Sequence, residues 1–134
     1  MSALATSFTP SLLVAAGGAV GAVCRFQLGR AITHWAGPAT GFPWATLCAN
    51  LIGSLAMGLL VGWLARNGAG NEDARLLLGV GVLGGFTTFS AFSLELVLLM
   101  ERGSPGLAAL YAIISVAAGV AALFLGLFVI KAAT

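Results

Sequence analysis

The sequence predicts an all-α membrane protein of four transmembrane helices, the third of them broken near mid-membrane. Three observations carry this reading. Of 134 residues, 60% are hydrophobic and only 7% charged, too few charges to clothe a water-soluble domain of that size. All ten charged residues lie between Arg25 and Lys131, and four apolar stretches reach the roughly 20 residues that a helix needs to cross a hydrocarbon core. One of the four contains Gly84-Gly85-Phe86-Thr87-Thr88-Phe89-Ser90, a run out of place in a plain apolar helix.

The first span covers residues 10–33. It is expected to stay in the mature protein, because residues 1–10 carry no Lys or Arg and the apolar run outlasts the core of a cleaved signal. Gly17 and Gly21 stand four apart, the small-residue spacing that lets two helix backbones approach closely in lipid. Arg25 lies past the middle of the span and is expected to snorkel toward a water-filled mouth, either drawing anions in or anchoring the helix. His34 is a lone interfacial histidine, read as structural. Cys24 and Cys48 fall inside spans without metal or redox spacing and are read as small apolar fillers.

Gly37-Pro38-Ala39-Thr40-Gly41 leads into the second span, residues 42–64. There Thr46, Asn50, Ser54, Gly58 and Gly62 recur at steps of four and form one slowly winding stripe of polar and small side chains. Asn50 is the most informative of them. An amide in hydrocarbon must be hydrogen-bonded or wet, so it either bonds a neighbouring helix or offers its NH2 to a passing anion.

After a connection at 67–74, the third span covers residues 76–100. Its glycines weaken helix propensity, and Thr87, Thr88 and Ser90 supply hydroxyls that compete for backbone groups. A break there frees N–H and C=O groups that only protein, water or an ion can satisfy. Broken spans of this kind are a recurring device for binding ions. Phe89 and Phe92 follow one helical turn apart, so their electropositive ring edges can share a face. Glu95 lies toward the end of the span, within reach of an aqueous vestibule. The fourth span, residues 107–130, follows a connection at 101–105 and repeats the polar stripe with Tyr111, Ser115 and Gly119.

These spans form a single transmembrane domain, residues 1–134, whose connections are too short to hold a soluble catalytic unit. A small, strongly hydrated anion needs replacement donors, and Asn50, Thr46, Ser90, Ser115 and Tyr111 have the right chemistry. No Lys or Arg sits at the centre to trap the ion, which suits conduction. The net charge of +2 and the lack of a basic run exclude nucleic acid as a partner. No Ser/His, paired-carboxylate or metal-ligand arrangement within the spans points to an enzyme.

With four spans, both termini share a side with the 67–74 connection, and that side holds Arg66, Arg75 and Lys131. The other side holds Arg30 and Arg102, with Arg25 if it snorkels outward. Such a balance selects no orientation. Either the topology is weakly set, or both orientations are made and pair as an antiparallel dimer. The second is favoured, because one layer of four short helices scarcely encloses a pathway by itself.

Three segments together resemble a known family. They are Gly17-Gly18-Ala19-Val20-Gly21-Ala22-Val23-Cys24-Arg25, Ala45-Thr46-Leu47-Cys48-Ala49-Asn50-Leu51-Ile52-Gly53-Ser54, and Gly84-Gly85-Phe86-Thr87-Thr88-Phe89-Ser90-Ala91-Phe92-Ser93-Leu94-Glu95. They are similar to the Fluc, or CrcB, family of fluoride channels, and the likeness covers all four spans in order and length. The resemblance implies a multi-pass protein of the cell inner membrane. It implies an antiparallel, dual-topology homodimer with two fluoride pathways and a structural sodium ion at its centre. Phe89 and Phe92 would be the pore phenylalanines and Asn50 their polar companion, with Tyr111 and Ser115 on the polar track of span four. Gly84 and Thr87 would present backbone carbonyls to sodium, a hard cation that prefers oxygen.

The chain departs from the family at Gly119, where a second serine is common, and at Ala45, where glycine is common. The implied physiology is passive: hydrogen fluoride enters, loses its proton in the cytoplasm, and the membrane potential drives the trapped anion out. The rival by architecture is a small proton-coupled multidrug exporter of four spans. It needs a carboxylate deep in a span, and this chain has none at the centre.

Overall fold

A computed structural model describes residues 2–37, 41–67 and 71–133, with side chains from residue 8 onward. The middles of two expected connections, 38–40 and 68–70, lie outside the described residues. Four stretches are helical, long and apolar enough to cross a membrane: Phe8–Ala36, Trp44–Asn67, Glu72–Glu101 and Pro105–Ala132.

Helix α1 (Ser2–Ala36) runs through Pro10 rather than starting there. Proline removes one backbone donor from a helix interior, and the rest of the ladder continues across it. The helix ends where Gly37 takes φ +75° and gives its N–H to the Thr33 carbonyl, 3.1 Å away. A left-handed glycine just past the last turn is a common helix stop, since it carries no Cβ to clash. Helix α2 (Trp44–Asn67) follows Pro43, whose carbonyl accepts from Leu47 N at 3.2 Å. Its 24 residues span about 36 Å, enough for the hydrocarbon core.

The third span is composite. A single turn α3 (Glu72–Ala74) leads into a π-helical stretch (Arg75–Leu83) and a short α4 (Gly84–Phe86). Thr87 (φ −83°, ψ 158°) and Thr88 (φ −151°, ψ 124°) are extended, and α5 (Phe89–Glu101) then resumes the helix. Gly103, at φ +76°, turns the chain into α6 (Pro105–Ala132), which opens with proline where its missing N–H costs nothing.

The helices pair backbone to backbone. α1 lies on the π-helical stretch and α4, where a Cβ on Gly21 would overlap the Val82 carbonyl oxygen and one on Gly85 would overlap the Gly18 carbonyl oxygen. α2 lies on α6, where Cβ atoms on Gly58 and Gly126 would strike the Leu123 and Leu55 carbonyl oxygens. In lipid, where apolar side chains gain little by leaving the solvent, such close packing supplies the attraction. Leu47, Phe92, Leu99, Ala108 and Tyr111 are buried together where α2, α5 and α6 meet. Large apolar residues such as Phe26, Trp35, Phe124 and Phe128 face outward.

Candidate functional site

The interruption after Phe86 is built by hydrogen bonds that redirect the helical ladder. Thr87 turns back on the first half: its N–H and its hydroxyl both donate to the Leu83 carbonyl, at 3.0 and 2.9 Å. Thr88 is held by Asn50 of α2 at two points. Its N–H donates to Oδ1 at 2.8 Å, and its carbonyl accepts from Nδ2 at 3.1 Å. This fixes the amide's orientation, since the reversed group would set donor against donor and acceptor against acceptor. Thr88 then caps α5, its hydroxyl accepting from Ala91 N at 3.3 Å. Gly53 makes room on α2, because a Cβ there would overlap the Thr87 methyl.

These bonds have a consequence for two carbonyls. In an unbroken helix Thr88 N–H would close on the Gly84 carbonyl and Ala91 N–H on that of Thr87. Both donors go elsewhere, to Asn50 and to the Thr88 hydroxyl. The Gly84 and Thr87 carbonyls, expected from the sequence to be cation ligands, are thus among those that lose a helical donor at the interruption. No group of three His, Cys, Asp or Glu able to hold a metal occurs among the described residues.

Phe89, Phe92 and Glu95 follow on one face of α5 at steps of three. The Phe89 and Phe92 ring centroids are 5.7 Å apart, and Phe92 lies 5.2 Å from the ring of Tyr111. In the single chain Phe89 is 79% exposed whereas Phe92 is buried at 9%. Tyr111 is wholly buried, and its hydroxyl donates to Glu95 Oε2 at 2.7 Å. Thr46 donates to the other carboxylate oxygen at 2.6 Å. Thr46, Tyr111 and Glu95, expected to serve separate pathway and vestibule roles, thus form one cluster that ties α2, α5 and α6 together.

Three clefts surround this assembly. One, of about 320 Å³, is lined by Asn50, Ser54, Phe89, Phe92 and Ser115, and also by Thr87 and Thr88. The Ser115 hydroxyl oxygen is buried there without a hydrogen-bond partner. A broad second cleft is bordered by Arg25, Arg30, His34, Thr46 and Thr88. Arg25 does not simply reach outward: its Nε donates to the Gly85 carbonyl at 3.3 Å, linking α1 to the end of α4. Thr88 lines both clefts, so the Asn50–Thr88 bridge stands between them. The third cleft brings Glu95 together with Thr33 and Arg102.

Ser90 is not brought into this group. It lies on the exposed side of α5, its hydroxyl 3.4 Å from that of Thr88. Thr88, read from the sequence only as a hydroxyl that competes for backbone groups, is clamp and cap at once. Its signal was a threonine directly ahead of an apolar helical run, the usual N-cap pattern. Arg102 and Thr33 beside Glu95 had no such signal, being far from it in sequence or outside the spans.

Residues 12–127 match the family model described as CrcB-like protein, Camphor Resistance (CrcB). A protein of Novosphingobium aromaticivorans named fluoride-specific ion channel FluC is 62% identical over 123 residues, covering 92% of this chain and 97% of that one. Proteins of the same name from Phenylobacterium zucineum and Erythrobacter litoralis are 57% identical over 121 residues and 54% identical over 124. These alignments cover 90% of this chain in both cases, and 94% and 91% of the relatives.

Proposed function

The chain belongs to the CrcB-like protein family, and from that membership we propose that it is a fluoride-specific ion channel of the cell inner membrane, working as an antiparallel, dual-topology homodimer. It is a multi-pass channel and not an enzyme. The single observation that carries the reading is the 62% identity over nearly the full length of a relative named for fluoride conduction.

The chemistry of the cleft supports it. Fluoride gives up hydration only to other donors. The Asn50 amide has a second N–H beyond the one given to Thr88, and the Ser115 hydroxyl has no protein partner. The edges of Phe89 and Phe92 add electropositive surface without a formal charge that would hold the ion fast. Thr46 and Tyr111 continue the pathway. Each hydroxyl has one proton, now given to Glu95, so a passing anion must compete with the carboxylate for it. We assign Arg25 and Glu95 to the vestibules and Ser90 to the pathway wall supplied when two subunits meet.

Two features support a partner subunit. The Gly84 and Thr87 carbonyls lack helical donors and cannot be left facing hydrocarbon. Phe89, mostly exposed in one chain, gains a wall when a second chain covers it. In the pair, Gly84 and Thr87 of each subunit would hold a structural sodium ion through their carbonyls. The ion would supply a fixed positive charge that satisfies freed backbone oxygen.

Export needs no other energy source. At a negative-inside potential of about 100 mV, moving one anion outward is favourable by about 2.3 kcal/mol, a roughly fifty-fold concentration ratio. Fluoride efflux from liposomes holding the purified protein tests this. Release that follows an imposed voltage is expected. Fluoride-tight vesicles that instead release organic cations against a proton gradient would replace the channel with an exporter.

A further inference from the structure

We infer that Ser54 is a further pathway residue, its hydroxyl meeting fluoride from α2 across the cleft from Ser115 of α6; this rests on the channel reading above. Ser54 lies one helical turn beyond Asn50 and lines the same cleft as Phe89, Phe92 and Ser115. A serine inside a helix commonly bonds back to the carbonyl four residues earlier. Ser54 makes no hydrogen bond to any described residue, so its proton is uncommitted.

Gly119 explains why that hydroxyl stays open to the cleft. A Cβ built on Gly119 would lie 3.6 Å from Ser54 Oγ, in ordinary contact, and nothing else approaches it within 4 Å. The polar stripe of α6 therefore does not simply stop at a residue without a side chain. Its glycine uncovers a donor on the facing helix, and the buried, unpartnered Ser115 hydroxyl sits one turn before it. Two hydroxyls on helices packed backbone to backbone thus line one cleft, together with the apolar side chains of Phe89, Phe92, Met57, Val116 and Leu123. An unpaired hydroxyl is costly in such surroundings, and an anion needing donors satisfies both.

The test compares voltage-driven fluoride efflux for the parent, Ser54→Ala, and Ser54→Ala with Gly119→Ser, each purified as an assembled dimer. Ser54→Ala is expected to lower flux about tenfold, the equivalent of one hydrogen bond to a charged ion. Adding Gly119→Ser returns a hydroxyl to the same space from α6 and is expected to restore most of the flux. Parental flux in Ser54→Ala, or a loss that Gly119→Ser does not recover, overturns the inference. Should Ser54→Ala fail to assemble, Gly119→Ala covers the hydroxyl with a methyl and Gly119→Ser replaces it. Lower flux in the alanine variant supports the inference and equal flux in the two overturns it. A parent that carries no fluoride defeats the channel reading instead.

Discussion

Replacing Asn50 by leucine removes both ends of the amide clamp while nearly keeping its volume. Thr88 then loses the acceptor for its N–H, now 2.8 Å away, and the donor to its carbonyl, now 3.1 Å away. A buried polar group stripped of its partner costs about 1–3 kcal/mol. Both Thr88 groups are only partly buried in the single chain, so the lower end applies to each and the total is about 2 kcal/mol. At about 1.4 kcal/mol per tenfold, the folded population falls roughly thirty-fold relative to the unfolded one. Equilibrium unfolding of purified protein by SDS, followed by tryptophan fluorescence, reads this as a lower midpoint with the same steepness. Asn50→Asp separates the two bonds: it keeps an acceptor for the Thr88 N–H and turns an oxygen toward the Thr88 carbonyl, so it also destabilises. An unchanged midpoint for Asn50→Leu would refute the clamp.

Gly21→Ala, whose Cβ would overlap the Val82 carbonyl oxygen, is expected to push α1 off the third span, while Gly106→Ala, with open space around it, leaves the same unfolding midpoint in place. Phe92→Ala is expected to cost stability, about 3 kcal/mol or more for a buried phenyl ring. Phe89→Ile, at an exposed ring, is expected to reduce fluoride flux far more than dimer yield, and parental flux would remove the ring from the pathway. Exchanging sodium for a large organic cation throughout purification is expected to abolish efflux and lower the yield of dimer. Indifference of both would remove Gly84 and Thr87 as cation ligands.

Much of the architecture was legible in the sequence, because lipid makes a coarse demand that composition answers. A span must be long and apolar to cross hydrocarbon, so four such runs mark four helices whatever their packing. The close approach at Gly17 and Gly21 was legible for a related reason: four residues bring two glycines to one face, and the structure sets that face against the π-helical stretch. The helix ends were less so. Pro10 looked like a beginning and is an interior residue, since one missing hydrogen bond does not stop a helix that its neighbours sustain.

The candidate site was legible in kind and not in arrangement. Residue types alone marked Asn50, Thr46, Tyr111 and Ser115 as polar in apolar spans, while the two phenylalanines took their expected role from the family resemblance. Helical counting could not carry through Thr87 and Thr88, because two extended residues reset the phase of the helix that follows. Ser90, counted with the donors, is exposed in the single chain, whereas Phe92 is buried. Nor could counting reveal that Asn50 is engaged by a backbone 38 residues on, or that Glu95 joins Thr46 across 49 residues.

The sequence by itself thus determined four runs long and apolar enough to cross lipid, the third of them holding residues that weaken a helix, because those are properties of length, polarity and local propensity. Only the tertiary structure decided which freed backbone groups Asn50 satisfies, which carbonyls remain open, and which hydroxyls share the cleft. Those outcomes depend on the rotation of each helix against its neighbour, and backbone-to-backbone packing at glycine sets that rotation.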